Sequence, residues 1–322
     1  MNKPIKKQES GFNQIEDTRL LKIEYLHPKY WGVWFFVGFL FISQLFPFKV
    51  QWQISRGLAW LTYNLAKSRR RIAEVNVDIC FPELSAKEKD ALVKEIFHEN
   101  MQGYLDSGTA WFGNYSRFKP TLEVRGKEHF DAVLNNGQGV VMAGAHFSIL
   151  DLAGALTSLV TQLNVTYRPL DNKLMNAVMM KGRYRFCSNA YHKKDVKGFI
   201  NCLKRGEMLW YAPDQDYGRK RSMFLPFFHV KETATTTGTL IFTKQPNVAS
   251  FVIYTTRNTD GSGYKVTISP QLENFPSGDD EADLIRVNKE VEHAVRQQPE
   301  QYLWMHRRFK TRPNESDASL YD

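Results

Sequence analysis

The chain has 322 residues, of which 43% are apolar, so it is long enough to form one large domain or two small ones around a sizeable core. Its net charge of +9 favours anionic partners such as nucleic acid, acidic lipid or an acidic carrier protein. The three cysteines are odd in number and lack the spacing of a metal site, which argues against a disulfide framework and against a zinc site.

The N-terminal region divides into two segments of different composition. Residues 1–29 are polar and charged without clear periodicity, which predicts a flexible or loosely packed tail rather than a signal peptide. Residues 30–48 contain no charge and are rich in Phe and Trp, which predicts a membrane-embedded helix that either spans the bilayer or lies in one leaflet. A buried core helix is the alternative. Basic residues on both sides of this segment suit an anionic bilayer surface.

Residues 49–322 are predicted to form one domain in which short apolar strands alternate with helices. Ser85 and Glu88 form a capping-box pattern at the start of a helix that is predicted to run from Ala86 to about Ala110, although Gly103 weakens its middle. The alternation of strands and helices predicts an α/β fold with a mixed, mostly parallel sheet flanked by helices, preceded by the N-terminal membrane helix.

The most informative stretch lies at the centre of the chain. Val140 to Ala145 is a short apolar run, as expected of a buried parallel strand, and a helix-like segment follows it. His146 therefore falls at a strand-to-helix corner, where open α/β sheets bind their ligands. Asp151 would contact His146 only if the histidine lies outside the helix. In that geometry the carboxylate fixes the imidazole tautomer and leaves the other ring nitrogen free to accept a proton.

Three predicted strands end in similar polar groups, and we expect these groups to converge on one edge of the sheet. The groups are His146 with Asp151, Arg168 with Asp171, and Asp214 with Asp216. Ordinary turn chemistry is the alternative for each group taken alone. The Asp214–Asp216 pair could also suit Mg²⁺, but no glycine-rich phosphate loop or third carboxylate cluster supports that interpretation.

Other classes of protein are disfavoured by missing motifs. No Gly-x-Ser-x-Gly elbow is present, which argues against a covalent serine hydrolase, and no Walker or dinucleotide-binding loop follows a strand. Basic patches at residues 69–71, 219–221 and 306–312 would suit nucleic acid. The apolar segment at residues 30–48 favours anionic lipid instead.

Several motifs together give the chain a family resemblance. They are His146-Phe-x-x-x-Asp151, Tyr167-Arg-Pro-x-Asp-Asn172, Gly182-Arg-x-Arg185, Trp210-Tyr-Ala-Pro-Asp-x-Asp-Tyr-Gly218, Thr235-Thr-Thr-Gly238 and Gln301-Tyr-x-Trp-x-His-Arg-Arg-Phe-Lys-Thr-Arg-Pro313. In this combination the chain resembles the late acyltransferases of lipid A biosynthesis, from His27 to Pro313. It is most similar to the lauroyl-transferring branch, which acts on Kdo2-lipid IVA. The wider group is that of the glycerolipid acyltransferases, and this chain has Asp151 where many close relatives carry Glu.

The resemblance implies an acyltransferase at the cytoplasmic face of a bacterial inner membrane. Such an enzyme moves a fatty acyl chain from acyl carrier protein to a hydroxyl of a lipid A precursor, without a cofactor, a metal or a nucleic-acid partner. In that role His146 is the general base and Asp151 orients it. Arg183 stabilises the oxyanion or holds the substrate.

The resemblance also implies a set of residues that bind the substrates. Asp214 is expected to pair with an arginine such as Arg168. The remaining expected substrate-binding residues are Asp171, Asp216, Arg219, Arg307 and Arg308. Three alternatives stay open: another glycolipid acceptor, an acyl-CoA donor, or a non-catalytic, membrane-attached lipid-binding protein without a functional histidine–aspartate pair.

Overall fold

The computed structural model describes residues 17–258 and 260–322. A seven-stranded sheet forms its centre, and its strands are β1 (Leu122–Arg125), β2 (Gly139–Gly144), β3 (Asn164–Tyr167), β4 (Asn189–His192), β5 (Met208–Tyr211), β8 (Val248–Arg257) and β9 (Tyr264–Ile268). The strand order is β1-β9-β8-β2-β5-β3-β4, and every pairing is parallel except that of β8 with β9. A separate antiparallel hairpin consists of β6 (Ser222–Phe227) and β7 (Val230–Thr236).

In the described residues, four α-helices precede the first strand, and the other α-helices alternate with or follow the strands. They are α1 (Trp31–Ser43), α2 (Phe48–Leu65), α3 (Lys67–Cys80), α4 (Ala86–Phe112), α5 (Lys127–Asn135), α6 (Leu150–Thr157), α7 (Lys173–Arg183), α8 (Val196–Lys204), α9 (Gly238–Thr243) and α10 (Asp280–Gln297). Short 3₁₀ helices occupy Ile23–Leu26, Pro28–Tyr30, Tyr115–Thr121, Arg219–Arg221 and Pro299–Gln301. The predicted mixed, mostly parallel α/β sheet flanked by helices is confirmed.

The central strand is β2, which pairs with β5 on one side and β8 on the other. All six of its residues are buried, because helices cover both faces of the sheet at this point. This explains why the strand reads as a continuous apolar run rather than an alternating one. The strand ends at Gly144, two residues before His146.

The prediction of one membrane-embedded helix over residues 30–48 is wrong. The segment forms the 13-residue helix α1, then a turn, and then the start of α2 at Phe48. Pro47 occupies the N-cap position of α2, and a proline disfavours helical backbone in the residue before it, so the first helix cannot continue through it. Among the described residues, no helix has both the length and the apolar content needed to cross a membrane.

Helix α4 begins at the predicted capping box, in which the Ser85 side chain and the Glu88 carboxylate satisfy each other's backbone amides. The helix then passes close to the turn that follows His146. A Cβ atom at Gly103 would overlap the carbonyl oxygen of Ser148, so only glycine allows this approach. The glycine that weakens the helix locally is therefore a packing requirement of the turn.

We expect Gly103→Ala to destabilise the protein by about 1–3 kcal/mol, since overpacking outweighs the gain in helix propensity. The control is Gly57→Ala in α2, where an added Cβ meets open space and alanine should stabilise by up to about 1 kcal/mol. Thermal unfolding of both variants in detergent measures the difference. Equal melting temperatures for the two variants would contradict the close packing of α4 on the turn.

Candidate active site

His146 and Asp214 meet at the carboxyl ends of two adjacent parallel strands. In the register of β2 with β5, Ala143 lies opposite Tyr211, and each polar residue comes three positions further on. The Asp214 Oδ1 atom lies 2.6 Å from His146 Nδ1, and Oδ2 accepts the His146 backbone N–H at 2.8 Å. Because a carboxylate only accepts hydrogen bonds, the Nδ1 atom carries a proton, which leaves Nε2 as the nitrogen available to a substrate.

Asp214 is held as a buried carboxylate. Burial alone would raise the pKa of Asp214, but the charge of His146 and the hydrogen bonds from its ring and backbone keep that pKa below its usual value. The nearby Tyr302 hydroxyl also lowers the pKa of this carboxyl. The negative charge of Asp214 is therefore available to stabilise a protonated imidazole.

The predicted hydrogen bond between His146 and Asp151 is wrong. His146 does lie outside the helix, as expected, but Asp151 is the second residue of α6 and faces α7. It accepts two hydrogen bonds from Arg183: Nε to Oδ1 at 2.6 Å and Nη2 to Oδ2 at 3.3 Å. The bidentate geometry of a guanidinium matches a carboxylate better than a single imidazole N–H does.

The expected pairing of Asp214 with Arg168 is also wrong, because both oxygens of Asp214 bind His146. Arg168 lies exposed after β3 and lines the cavity beside His146. Asp171 is exposed in the loop that follows and does not line this cavity. Of the three predicted strand ends, two therefore meet directly, through His146 and Asp214. The third places Arg168 at the same cavity.

Arg183 is partly buried beside the cavity, with 16% of its side chain accessible. Burial would lower the pKa of Arg183, but the Asp151 charge and hydrogen bonds raise it, so the two residues form an ion pair. Within the described chain, no hydrogen bond occupies the Nη1 atom of Arg183. That atom is a donor left over for a bound molecule.

A cavity of about 230 Å³ opens beside His146. Its wall is mostly apolar, with His146, Asp151, Arg168 and Arg183 supplying charged or titratable groups. The apolar lining residues include Leu150, Leu163, Val165, Met179, Phe186, Trp210 and Ile253. Such a cavity suits a hydrocarbon chain with a polar group at one end.

Cys187 also lines the cavity but is not activated as a nucleophile. Burial raises the pKa of the Cys187 thiol, and the Arg183 charge only partly opposes that effect. The thiolate is the reactive form of cysteine, so a thiol held protonated is unreactive at neutral pH.

Two residues that were expected to bind substrate make tertiary contacts in the structure. The Asp216 carboxylate accepts hydrogen bonds from the Thr311 backbone and hydroxyl, at 2.7 and 2.8 Å. Arg308 is only 2% exposed, donates to the Ala234 carbonyl and lies over the Phe227 ring, so its expected contact with a substrate stays a prediction. With Asp214 bound to His146, these contacts leave no open Asp214–Asp216 pair for Mg²⁺.

Arg219 and Arg307 differ in how far their guanidinium groups are free to bind a substrate. Arg219 pairs with Glu315 at 2.7 Å and donates to the Arg312 carbonyl at 2.9 Å. Arg307 is exposed.

Sequence reasoning gave no role to Tyr302, although it lies within the resemblance motif that starts at Gln301. Its only sequence signal was that position in the motif, because about 90 residues separate it from Asp214.

The mostly parallel α/β sheet, the histidine–aspartate pair at its central strand ends and the apolar cavity define a site suited to acyl transfer onto a hydroxyl. A family model described as bacterial lipid A biosynthesis acyltransferase matches residues 20–311. The chain therefore belongs to the bacterial lipid A biosynthesis acyltransferases, and it is an acyltransferase of lipopolysaccharide biosynthesis.

Individual relatives cover nearly the whole chain. The lipid A biosynthesis palmitoleoyltransferase of Escherichia coli (strain K12) is 37% identical over 92% of this chain and 97% of its own length. The lauroyltransferase of the same organism is 37% identical, over 89% of this chain and 94% of its own length. Its myristoyltransferase is 30% identical over 89% of each chain. The resemblance stated from the motifs is confirmed at the level of the family.

The Asp151–Arg183 pair can be tested through stability. We expect Asp151→Asn or Arg183→Gln alone to cost about 1–3 kcal/mol, because each leaves a largely desolvated charged group without its partner. The double variant should lose much less stability than the sum of the two single losses. Thermal unfolding of the four proteins gives the coupling energy.

The exposed pair Glu123–Arg125 serves as the control for this cycle, since 47% and 60% of the two side chains are accessible. The matching substitutions Glu123→Gln and Arg125→Gln should show coupling of at most about 1 kcal/mol. If the losses at Asp151 and Arg183 simply added, the two residues would not act as a coupled pair.

Proposed function

We propose that the protein transfers a lauroyl-type acyl chain from acyl carrier protein to a hydroxyl of Kdo2-lipid IVA. The observation that carries the proposal is the His146 imidazole, which is fixed at Nδ1 by Asp214 and lines an apolar cavity. The enzyme uses no cofactor in this scheme, since the acyl carrier protein is a co-substrate. The chain's net charge of +9 supports the choice of an acidic carrier and a phosphorylated acceptor.

In the proposed reaction His146 Nε2 takes the proton of the acceptor hydroxyl while the oxygen attacks the thioester carbonyl. The tetrahedral intermediate then collapses, the carbon–sulfur bond breaks, and the imidazolium returns its proton to the departing thiolate. Asp214 stabilises the imidazolium and keeps the ring in the productive tautomer. No acyl-enzyme is required, which agrees with the protonated state of the Cys187 thiol.

Arg183 is the proposed source of positive charge near the developing oxyanion. Its Nη1 atom has no partner in the described chain, and the residue lines the cavity. Asp151 holds the guanidinium in place without occupying that atom, so the role of Asp151 is to orient Arg183 rather than His146. Oriented donors of this kind stabilise charge that appears only in the transition state.

The anionic parts of the substrates are proposed to bind at the exposed basic residues near the cavity. Arg168 lines the cavity itself and is exposed, so it is the first candidate. Arg307 is an exposed second candidate, while Arg219 already pairs with Glu315.

A palmitoleoyl chain is the second candidate for the transferred group, because the palmitoleoyltransferase and the lauroyltransferase of E. coli are each 37% identical to this chain. Purified enzyme with acyl carrier proteins loaded with dodecanoyl, hexadecenoyl or tetradecanoyl chains separates these possibilities. Mass spectrometry of the acylated acceptor identifies the chain and the site. Transfer from acyl-CoA at equal rates would contradict the proposed donor.

We expect His146→Ala to lower the transfer rate by about 10²- to 10⁴-fold, since it removes the general base. Asp214→Asn should cause a similar loss, because an amide cannot stabilise the imidazolium. The control is His129→Ala on α5, whose half-exposed ring lies outside the cavity. A folded His146→Ala protein with normal turnover would favour the alternative of a non-catalytic lipid-binding protein.

The protein is also proposed to bind the cytoplasmic leaflet of the inner membrane through its N-terminal helices. Most of the exposed large apolar side chains in the described chain lie between residues 21 and 65. On α1, Phe35 is 79% exposed while Leu40 is buried; on α2, Trp60 is 71% exposed. Exposed apolar patches of this kind mark interaction sites, and the basic residues beside them suit anionic lipid. Those basic residues are Lys29, Lys49 and Arg56.

Replacing both Phe35 and Trp60 with Ser should reduce co-sedimentation with vesicles of phosphatidylethanolamine and phosphatidylglycerol by about tenfold or more. Each large side chain contributes roughly 1.5–3 kcal/mol when it leaves water. Ile241→Ser is the control, because Ile241 is exposed on α9, outside the N-terminal helices. Equal binding by the wild type, the double variant and the Ile241→Ser control would place the membrane contact elsewhere.

A further inference from the structure

The C-terminal segment, residues 301–303, runs beside the turn that contains His146. The Ser148 N–H donates to the Gln301 carbonyl at 2.7 Å, and the Leu303 N–H donates to the His146 carbonyl at 2.9 Å. These two bonds have the pattern of a short antiparallel strand pairing. The turn is therefore held along its length by backbone from a distant part of the chain.

Both backbone polar groups of His146 are bonded, and they are bonded to different elements. The His146 N–H donates to Asp214 at 2.8 Å, and the His146 carbonyl accepts from Leu303. Next to this carbonyl, Phe147 and Tyr302 form an antiparallel bridge, and their rings meet edge-on with centroids 6.0 Å apart. The main chain that carries the imidazole is thus fixed from two sides, and one of those sides is the C-terminal segment.

The Gln301 side chain attaches this segment to the end of β8. It is fully buried, its Oε1 atom accepts the Arg257 N–H at 2.9 Å, and its Nε2 atom donates to the Arg257 carbonyl at 2.8 Å. Arg257 is the last residue of β8 and lies beyond Ile253, the last residue that pairs with β2. The side-chain amide therefore completes both hydrogen bonds of a buried backbone position that β2 does not reach.

The residue that Gln301 binds is itself fixed by α4. The Arg257 guanidinium is fully buried and binds Glu99 and Asp106 of that helix. The same helix packs on the His146 turn at Gly103. The point to which Gln301 bonds therefore keeps a constant position relative to the turn.

We infer that Gln301 is a positioning residue for the transfer reaction: its side-chain amide holds the C-terminal segment on the end of β8, and the backbone of that segment holds the His146 turn where Nε2 reaches the cavity. The inference rests on the proposed role of His146 as the general base. Gln301 does not line the cavity. It acts through the main chain of residues 146–148 rather than on a substrate.

The two amide hydrogen bonds matter more for geometry than for net stability. Both partners are hydrogen-bonded to water in the unfolded chain, so the net gain on folding is modest. A general base, in contrast, must lie within hydrogen-bond reach of the proton that it removes. Since a misplacement of about 1 Å can cost about 10²-fold in rate, a loosened turn should lower turnover more than substrate affinity.

Gln301→Met tests the inference because methionine is unbranched and flexible and has no amide. We expect kcat to fall by about 10- to 100-fold with KM changed by less than about threefold, since the cavity wall is unchanged. The deciding measurement is a double-mutant cycle with His146→Ala. If Gln301 acts through the imidazole, adding Gln301→Met to His146→Ala should lower the remaining rate by less than about twofold.

The assay uses the full chain in detergent with dodecanoyl-acyl carrier protein and Kdo2-lipid IVA, with the folded fraction measured by circular dichroism. The matched control is Asn288→Leu on α10. Asn288 is 4% exposed, and its amide also makes two hydrogen bonds, to the Pro226 carbonyl at 2.9 Å and the Thr235 hydroxyl at 3.0 Å. This variant should lower the melting temperature without changing kcat. An equal fall in kcat in the control and in Gln301→Met would overturn the inference.

Hydrogen exchange in the wild-type protein tests the same contact even if Gln301→Met folds poorly. The Ser148 and Leu303 amides should exchange at least about 10²-fold more slowly than in the unfolded chain. In folded Gln301→Met these two amides should lose protection while the amides of β2 keep it. Unprotected Ser148 and Leu303 amides in the wild type would overturn the inference.

The outcomes separate this inference from the function it rests on. A folded His146→Ala enzyme with normal turnover would overturn the general base, and Gln301 would lose its proposed role with it. A strongly impaired His146→Ala enzyme, combined with wild-type kcat in Gln301→Met, would overturn only the positioning role. The positioning role would also fail if Gln301→Met lowered the rate by the same factor with and without the imidazole, because that result would show a merely structural residue.

Discussion

The candidate site depends on the two-point contact between His146 and Asp214. A hydrogen bond to the ring alone would leave the imidazole free to swing about the line between the two residues. The second bond, from the His146 backbone to the other carboxylate oxygen, ties the main chain to the same group. This contact exists because β2 and β5 are parallel neighbours, so that residues at equal distance beyond the Ala143–Tyr211 pair reach the same edge of the sheet.

Helix α4 links the parts of the protein that must keep this contact in place. At Gly103 it packs directly against the turn after His146. At Glu99 and Asp106 it binds Arg257, which in turn holds Gln301 and the C-terminal segment. Buried ion pairs of this kind contribute little net stability compared with apolar packing, because desolvation opposes them. Their benefit here is geometric, since they fix one arrangement of helix, strand end and tail.

The fold and the identity of the central histidine could be predicted because both depend on local patterns. A six-residue apolar run identified β2, and its end placed His146 on a strand-to-helix corner. The partner of His146 could not be chosen in this way. Asp151 and Asp214 both follow predicted strand ends, and which one faces the ring depends on the order of strands and the direction of side chains on α6. The spacing of residues along the chain gives neither the strand order nor the side-chain direction. The turn at residues 44–47 was missed for a different reason. The uncharged, aromatic composition of residues 30–48 favoured one continuous helix, although Pro47 marks the break between α1 and α2.

The two carboxylates in the site therefore have separate partners, and this arrangement has an electrostatic consequence for the proposed reaction. Asp151 and Arg183 neutralise each other, while Asp214 contacts the His146 imidazole, which has to be neutral to act as the proposed base. The four groups carry one net negative charge before reaction and none once His146 has accepted a proton. In a largely buried site, where charges are poorly screened, the attraction between Asp214 and the imidazolium favours proton transfer to the ring, and the negative charge that passes to the substrate oxygen is opposed by the Arg183 cation in the proposed scheme. Had Asp151 faced His146 beside Asp214, the two carboxylates would repel each other and Arg183 would lack its anchor. The separation into two pairs thus leaves the proposed base and the proposed cation each with its own carboxylate.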